Sequence, residues 1–93
     1  PRFIMEVLSD STEKYDRTEK MDLYKKVEVA EYWLVDWRKK QVEIYILVPD
    51  EQSIDEMQYK LVSTVVEQNK EELKLHMFPN VKIDFEQLFD GIE

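Results

Sequence analysis

Two charged residues lie where apolar side chains are expected, and together they could perform chemistry. Glu6 interrupts the apolar segment at residues 3–9, which reads FIMEVLS. Lys20 lies in the middle of the apolar stripe of the segment that follows, one helical turn before Tyr24. A buried carboxylate and a buried ammonium are each costly alone, and each is the natural partner of the other. The pair therefore indicates either a site for a metal ion and a phosphate, or a structural salt bridge.

In the first interpretation, Glu6 binds a divalent metal through oxygen, as hard cations require. Lys20 positions or helps to deprotonate an attacking water, or stabilises charge on a phosphate. Asp16, Ser9 and Ser11 are supporting candidates, because they lie near the strand end at which α/β sheets tend to bind ligands. In the second interpretation the pair is structural, or Lys20 extends its charged end to solvent along its aliphatic stem. The spacing alone favours the second interpretation.

The elements that must hold these residues follow from the pattern of apolar side chains. Residues 2–8 form a nearly continuous apolar run, which predicts a strand covered on both faces. Asp16 and Glu19 have the spacing of an N-cap and its reciprocal partner, so a helix is predicted from Asp16 to about Val27. Four apolar residues share one side of this helix with Lys20: Met21, Leu23, Tyr24 and Val27.

The rest of the chain predicts mainly strands. They are expected at residues 31–36, 41–48 and 57–67, the second of them half-buried and antiparallel. Residues 69–72 predict a turn or a short helix, and Asp84 is expected to cap a final helical turn. The order strand, helix, strand and then several strands predicts an α/β core with an antiparallel extension.

The composition limits the class of protein. The chain has 93 residues, of which 43% are hydrophobic, so we expect one domain with a packed core. The lack of cysteine excludes a disulfide framework and a thiolate zinc site, and it fits a cytoplasmic protein. The formal net charge of -8 opposes non-specific binding to nucleic acid. Contact with DNA would therefore need a metal ion or a local basic patch, for which Arg38-Lys39-Lys40 is the candidate.

Several motifs resemble the Uma-type family of restriction endonucleases, which is abundant in bacteria. They are Glu6-Val7-Leu8-Ser9, Ser11-Thr12, Asp16-Arg17, Lys20, Tyr24, the segment EYWLVD at residues 31–36 and the closing VKIDFEQLF. The resemblance covers essentially the whole chain, as the C-terminal half of a family member. It implies a restriction-endonuclease-like α/β core of the PD-(D/E)XK superfamily. It also implies hydrolysis of DNA that depends on Mg²⁺ or Mn²⁺.

The resemblance further implies roles for single residues. In the usual superfamily pair the lysine lies two residues after the acid, where this chain has Leu8. The family supplies the lysine from the following helix, which matches Lys20 as the catalytic lysine and leaves Glu6 as the second metal-binding acid. Another acid would lie upstream of Pro1. We therefore expect residues 1–93 to be a single domain, the C-terminal portion of a nuclease-like fold truncated at its N-terminus, with an incomplete active site. A complete small domain that begins with a strand is the alternative.

One departure from the family concerns the end of the predicted helix. The family often has Gly-Val-Pro before the EYW segment, whereas this chain has Glu28-Val29-Ala30. Loss of the glycine removes a favoured left-handed helix stop. The end of the helix is therefore expected to change without an effect on Lys20.

Two functions from different classes remain. The first is a metal-dependent DNA endonuclease of the bacterial cytoplasm. The second is a truncated, non-catalytic oligomerisation or interaction module, in which Glu6 and Lys20 form a buried salt bridge. The net charge and the missing upstream acids favour the second for this fragment, and the intact motifs favour the first for the longer protein. An incomplete sheet exposes edges and apolar surface, so a homo-oligomer is expected.

Overall fold

The sheet confirms the α/β core with an antiparallel extension. The computed structural model describes residues 2–91. Its four strands lie in the order β1-β2-β3-β4: β1 (Phe3–Val7), β2 (Glu31–Asp36), β3 (Gln41–Pro49) and β4 (Met57–Val65). β1 runs parallel to β2, and the other two pairs are antiparallel. A parallel pair needs a crossover connection, and two short helices supply it: α1 (Glu13–Arg17) and α2 (Glu19–Lys26).

Each face of the sheet carries its own apolar cluster. On the face covered by the crossover helices, Leu8, Tyr32 and Leu34 are buried, and Met21 and Tyr24 of α2 pack against them. The opposite cluster contains Trp33, Val35, Val42, Ile44, Val65, Leu73, Phe85 and Phe89. Successive side chains of a strand point to opposite faces. Because both faces are covered, all six residues of β2 are buried.

The C-terminal segment closes the second face of the sheet. It contains a 3₁₀-helix at Glu67–Glu72, an isolated bridge between Lys74 and Lys82, and helix α3 (Phe85–Asp90). The predicted cap of α3 is confirmed, since the Asp84 carboxylate accepts a hydrogen bond of 3.0 Å from the Gln87 amide. Among the helices of residues 2–91, none is long and apolar enough to cross a membrane.

The crossover begins earlier than predicted and is divided in two. The amide of Glu13 donates to the Ser9 carbonyl at 2.9 Å, so α1 begins at Glu13. Asp16 lies inside this helix, and its predicted N-cap role is wrong. The helix breaks at Thr18, which has φ -124° and ψ -82°. The Thr18 hydroxyl donates to the Lys14 carbonyl at 2.6 Å, and a back-bond of this kind bends helices.

The predicted apolar stripe of the crossover is only partly correct. Met21 and Tyr24 are half-buried against the sheet, whereas Leu23 and Val27 remain 51% and 55% exposed. The strand on this side, β1, is the edge of the sheet, and no other element of residues 2–91 covers these two side chains. The prediction was one continuous helix, from Asp16 to about Val27, packed on the sheet.

Helix α2 ends in the conformation that glycine would favour, although glycine is absent. Glu28 has φ 59°. Its amide donates to the Lys25 carbonyl at 3.1 Å, and the Val29 amide donates to the Tyr24 carbonyl at 3.0 Å. These two bonds define a Schellman motif, which usually places glycine at the left-handed position. The expected change at the helix end is therefore a strained residue rather than a different path of the chain.

Candidate functional site

The structure brings together Glu6, Lys20 and Asp16. β1 places Glu6 on the face of the sheet that the crossover helices cover, and α2 carries Lys20 in its first turn. The Lys20 ammonium donates to Glu6 Oε2, and its Nζ lies 3.1 Å from Asp16 Oδ1. We call these three residues the carboxylate–lysine cluster. One ammonium lies between two carboxylates, so the cluster carries a formal charge of about -1 when all three groups are ionised.

The members of the cluster differ in their exposure. The side chains of Lys20 and Glu6 are 29% and 21% exposed, whereas that of Asp16 is 2% exposed. The salt bridge predicted as buried is therefore half-buried, because β1 lies at the edge of the sheet. Asp16 Oδ2 accepts a hydrogen bond of 3.1 Å from the Thr12 hydroxyl. Within residues 2–91, Asp16 Oδ1 has no aligned hydrogen-bond donor, so its close contact with Lys20 is an ion pair only.

The two carboxylates keep Lys20 protonated. The hydrogen bond to Glu6 raises the pKa of Lys20 above its ordinary value of 10.5, and the contact with Asp16 adds to this shift against the opposing effect of burial. Lys20 is therefore a cation at neutral pH. This charge suits contact with a phosphate oxygen or a water molecule, and it disfavours removal of a proton from water by Lys20 itself.

The predicted supporting serines reach the cluster only indirectly. Ser9 Oγ lies 2.7 Å from the Thr12 hydroxyl and 3.3 Å from Ser11 Oγ. Thr12 in turn donates to Asp16. Ser9 is thus two hydrogen bonds from Asp16, and Ser11 is exposed and one step further away. The loop after β1 orients the Asp16 carboxylate through these hydroxyls.

Tyrosines surround the cluster and hold α1 in place. The Tyr32 hydroxyl is buried and donates to the Asp16 carbonyl at 3.0 Å. Burial, together with the nearby carboxylates, raises the pKa of Tyr32, so the hydroxyl remains a donor. Tyr15 places its ring centroid 5.7 Å from Lys20 Nζ, a distance at which a ring face attracts a cation.

Sequence reasoning missed a second charged cluster beside the first. Arg17 donates from both terminal nitrogens to the two oxygens of Glu43, at 2.7 and 2.8 Å. Glu43 also accepts from the Tyr45 hydroxyl at 2.5 Å. The strand at residues 41–48 was predicted to be half-buried, and Glu43 is one of its buried residues, at 8% exposure. The sequence feature that could have indicated this pair is Arg17 in the Asp16-Arg17 motif, because an arginine at such a position needs an acidic partner.

A third buried acid, also missed, is structural. Glu31 is 1% exposed and begins β2. It accepts from the Trp33 indole at 2.7 Å and from the backbone amides of His76 and Met77 at 2.8 and 3.0 Å. Glu31 therefore ties the C-terminal segment to the sheet. Like Glu6, it opens or interrupts an apolar strand, so the same sequence signal could have found it.

The basic patch offered for DNA contact is largely neutralised within the molecule. Arg38 donates to Glu13 at 2.8 Å and to Asp36 at 3.1 Å, and it also pairs with Asp10. Burial raises the pKa of Asp36, but its hydrogen bonds with Arg38 and with backbone amides outweigh burial and lower that pKa overall. Lys40 lies 3.3 Å from Glu86. The Arg38 guanidinium thus belongs to the fold more than to a phosphate-binding surface.

The cluster provides part of a divalent-cation site. No group of three or more Asp, Glu or His side chains within residues 2–91 is placed to hold a metal ion. Two carboxylates, Glu6 and Asp16, do converge, and they meet at the Lys20 ammonium. Mg²⁺ is commonly bound by one or two carboxylates, with water and substrate phosphate as its other ligands. The donor set therefore fits Mg²⁺ or Mn²⁺ if the remaining ligands come from outside these residues.

Comparison with solved structures defines the fold class. The chain superimposes on the crystal structure of a putative nuclease belonging to DUF820 from Anabaena variabilis, with a TM-score of 0.58 and 17% sequence identity. The match covers 100% of this chain and 46% of the other, so the chain spans about half the length of that protein. The fold is thus a restriction-endonuclease-like α/β core.

Comparison with family models then gives the family. Residues 1–86 match the model of the Uma2 family, described as putative restriction endonuclease. The chain belongs to this family, as the motifs around Glu6 and Lys20 had indicated. No curated protein matches the chain.

Proposed function

We propose that Glu6 and Lys20 belong to the active site of a metal-dependent endonuclease that hydrolyses phosphodiester bonds in DNA in the cytoplasm. One observation carries the proposal. In a chain of a restriction endonuclease family, the Lys20 ammonium lies between the carboxylates of Glu6 and Asp16. None of the three belongs to the apolar clusters of the core.

Each residue has a distinct proposed role. Glu6 and Asp16 would hold Mg²⁺ or Mn²⁺, and the bound ion would neutralise phosphate charge and activate water. Lys20 would keep its proton on Nζ and donate hydrogen bonds to an oxygen of the phosphate. Ser9 would act only through Thr12, by keeping Asp16 in one orientation.

The proposed site is incomplete within these residues. Any further acidic ligand would come from outside residues 2–91, and this chain covers only 46% of the solved nuclease. The net charge of -8 makes contact with DNA dependent on the metal ion and on Lys20. DNA is therefore the proposed partner only for the metal-loaded protein.

DNA cleavage by isosteric variants tests the proposal. Wild type, E6Q and K20M, each in the full-length protein, would be incubated with supercoiled DNA and Mg²⁺ or Mn²⁺, with K60M as the matched control at an exposed lysine of β4. Loss of electrostatic stabilisation predicts a fall of about 100-fold or more in cleavage rate for E6Q and K20M. K60M should cleave like wild type. Equal rates in all four proteins would refute the residue assignment, and a lack of cleavage by wild type would refute the function.

A second candidate function, self-association, is favoured by the open side of the sheet. β1 pairs only with β2 within residues 2–91. Exposed apolar side chains flank this edge: Met5, Val7, Leu23 and Val27, at 40%, 44%, 51% and 55% exposure. An exposed strand edge beside apolar surface promotes pairing between chains. The module would then be a homo-oligomer whose Glu6–Lys20 pair is structural.

Measurement of mass in solution tests this second function. Sedimentation of wild type should show a dimer or larger species, and M5K should shift the protein to the monomer because a charge blocks the edge. K60M again serves as the control. A monomeric wild type at high concentration would refute self-association of this chain.

A further inference from the structure

We infer that Arg17 and Glu43 are positioning residues, which hold Asp16 and Lys20 in place beside Glu6. The inference rests on the proposed function for its effect on cleavage. The part of the inference that does not depend on function is that Arg17 and Glu43 fix the crossover helices to the sheet. Neither residue contacts Glu6 or Lys20, so both would act through the backbone of α1.

Helix α1 lacks the usual means of fixing a helix. It has five residues, and the only one of them that is buried is Asp16. A helix of this length does not persist by itself in water, and packing of an apolar face normally holds it. The exposed Tyr15 does not provide such a face. The position of α1 over the sheet must therefore come from directional polar contacts.

The pairing of Arg17 with Glu43 is the strongest of these contacts. Two parallel hydrogen bonds join the guanidinium to the carboxylate, and this geometry fixes orientation as well as distance. Glu43 is held in turn by Tyr45 at 2.5 Å and by Gln41 at 3.3 Å. The Glu43 side chain of this pair is nearly buried, at 11% exposure. It links α1 directly to β3 in the middle of the sheet.

The contact is transmitted to the cluster by the chain itself. Asp16 precedes Arg17 immediately, so rotation of α1 would move the Asp16 carboxylate. The helix breaks at Thr18, and Lys20 follows in the next turn. Without the link to Glu43, the break at Thr18 would let α1 and the start of α2 move apart. The Tyr32 bond to the Asp16 carbonyl and the Arg38 bond to Glu13 at 2.8 Å would remain as the other restraints on α1.

A purely structural ion pair makes a different prediction. If the pair were only structural, R17K and E43Q would be less stable than wild type, but the site in the molecules that remain folded would be unchanged. A positioning role changes the site in the folded protein. Measurements at a temperature where every variant is fully folded by circular dichroism therefore separate the two.

The first experiment measures DNA cleavage by R17K, E43Q and the double variant. Lysine keeps the charge of Arg17 but cannot form the two parallel bonds. A small displacement of reacting groups lowers the turnover rate strongly, so kcat should fall by about tenfold or more with KM little changed. The double variant should resemble the single ones, because both remove the same contact. K60M is the control, because Lys60 is exposed on β4 and belongs to neither charged cluster, and it should lose less than about threefold.

The second experiment does not depend on activity. Hydrogen bonds slow the exchange of lysine ammonium protons with water, so such a lysine gives an NMR signal at mildly acidic pH and low temperature. Under these conditions wild type and K60M should show this signal for Lys20, whereas R17K and E43Q should lose or weaken it. If R17K and E43Q lose the Lys20 signal and wild type does not cleave DNA, the positioning role would be supported and the proposed function refuted. If folded R17K and E43Q keep both the Lys20 signal and the wild-type kcat, the inference is overturned, whether or not the protein proves to be a nuclease.

Discussion

Replacement of Glu31 by glutamine should destabilise the fold far more than most single changes of a charged side chain. The Glu31 carboxylate is 1% exposed and accepts three hydrogen bonds, from the Trp33 indole and from the amides of His76 and Met77. Glutamine has nearly the same shape but only one acceptor oxygen. Its amide group would face at least one of the three donors.

The magnitude follows from the contacts that are lost. Glu31 Oε2 serves Trp33 and His76, and Oε1 serves Met77. If glutamine keeps its oxygen toward the first two donors, it loses the third bond and leaves a buried amide facing another donor, which costs about 1–3 kcal/mol. Loss of charge weakens the other two bonds by about 0.5–1 kcal/mol each. The sum is about 3 kcal/mol, and E31A should cost more because all three donors lose their acceptor.

Unfolding and hydrogen exchange both test this expectation. For a chain of this size, about 3 kcal/mol corresponds to a fall in Tm of roughly 15 °C. E51Q is the matched control, because Glu51 is exposed on the loop between β3 and β4 and should be neutral. The amides of His76 and Met77 should exchange faster in E31Q than in wild type. A Tm of E31Q within 2–3 °C of E51Q, or unchanged protection of both amides, would refute the argument.

Three further predictions concern the helix ends and pH. E28G should raise the free energy of unfolding by about 0.5–1 kcal/mol, because glycine adopts φ 59° without a Cβ penalty; a loss of stability in urea unfolding would contradict this. D84A should lower it by about 1 kcal/mol through loss of the α3 cap, whereas D84N should come close to wild type in the same assay. The Arg17 hydrogen bonds lower the pKa of Glu43 below its ordinary value of 4.5, so the unfolded chain binds the proton more tightly and stability should fall as the pH drops below about 4.5. E43Q should lose less stability than wild type over that range, and parallel curves of stability against pH would exclude this origin.

The sheet could be predicted from sequence because its signals are local. EYWLVD is apolar on both faces, and the structure gives β2 the bounds Glu31–Asp36. Asp84 precedes an apolar helical turn, and it caps that turn. Each of these predictions needed only neighbouring residues. The same holds for the approach of Lys20 to Glu6, which followed from a strand and a helix adjacent in the chain.

The crossover could not be predicted because hydrogen bonds that the sequence pattern does not reveal decide it. The spacing of Asp16 and Glu19 predicts a capping box, but the turn at Ser9 starts the helix earlier, and the Thr18 hydroxyl then breaks it. The Asp16 side chain is consequently turned toward Thr12 and Lys20 rather than toward a helix terminus. The burial of Glu43 was hidden for a similar reason, since its partner Arg17 lies on another element.

The hydrogen-bond donors that contact each buried or half-buried acid show whether that acid has a structural role, which the sequence alone could not show. Glu31 is bound by a ring N–H and two backbone amides, which no ligand can displace without unfolding the segment. Glu43 accepts two parallel hydrogen bonds from Arg17 and one from Tyr45, and these bonds fix its orientation. Glu6 is bound by a flexible lysine and is 21% exposed. An ammonium on a four-carbon stem can exchange its partners for a phosphate or a metal-bound water. Of these three acids, Glu6 is therefore the one that can change its partner while the sheet and the helices remain in place.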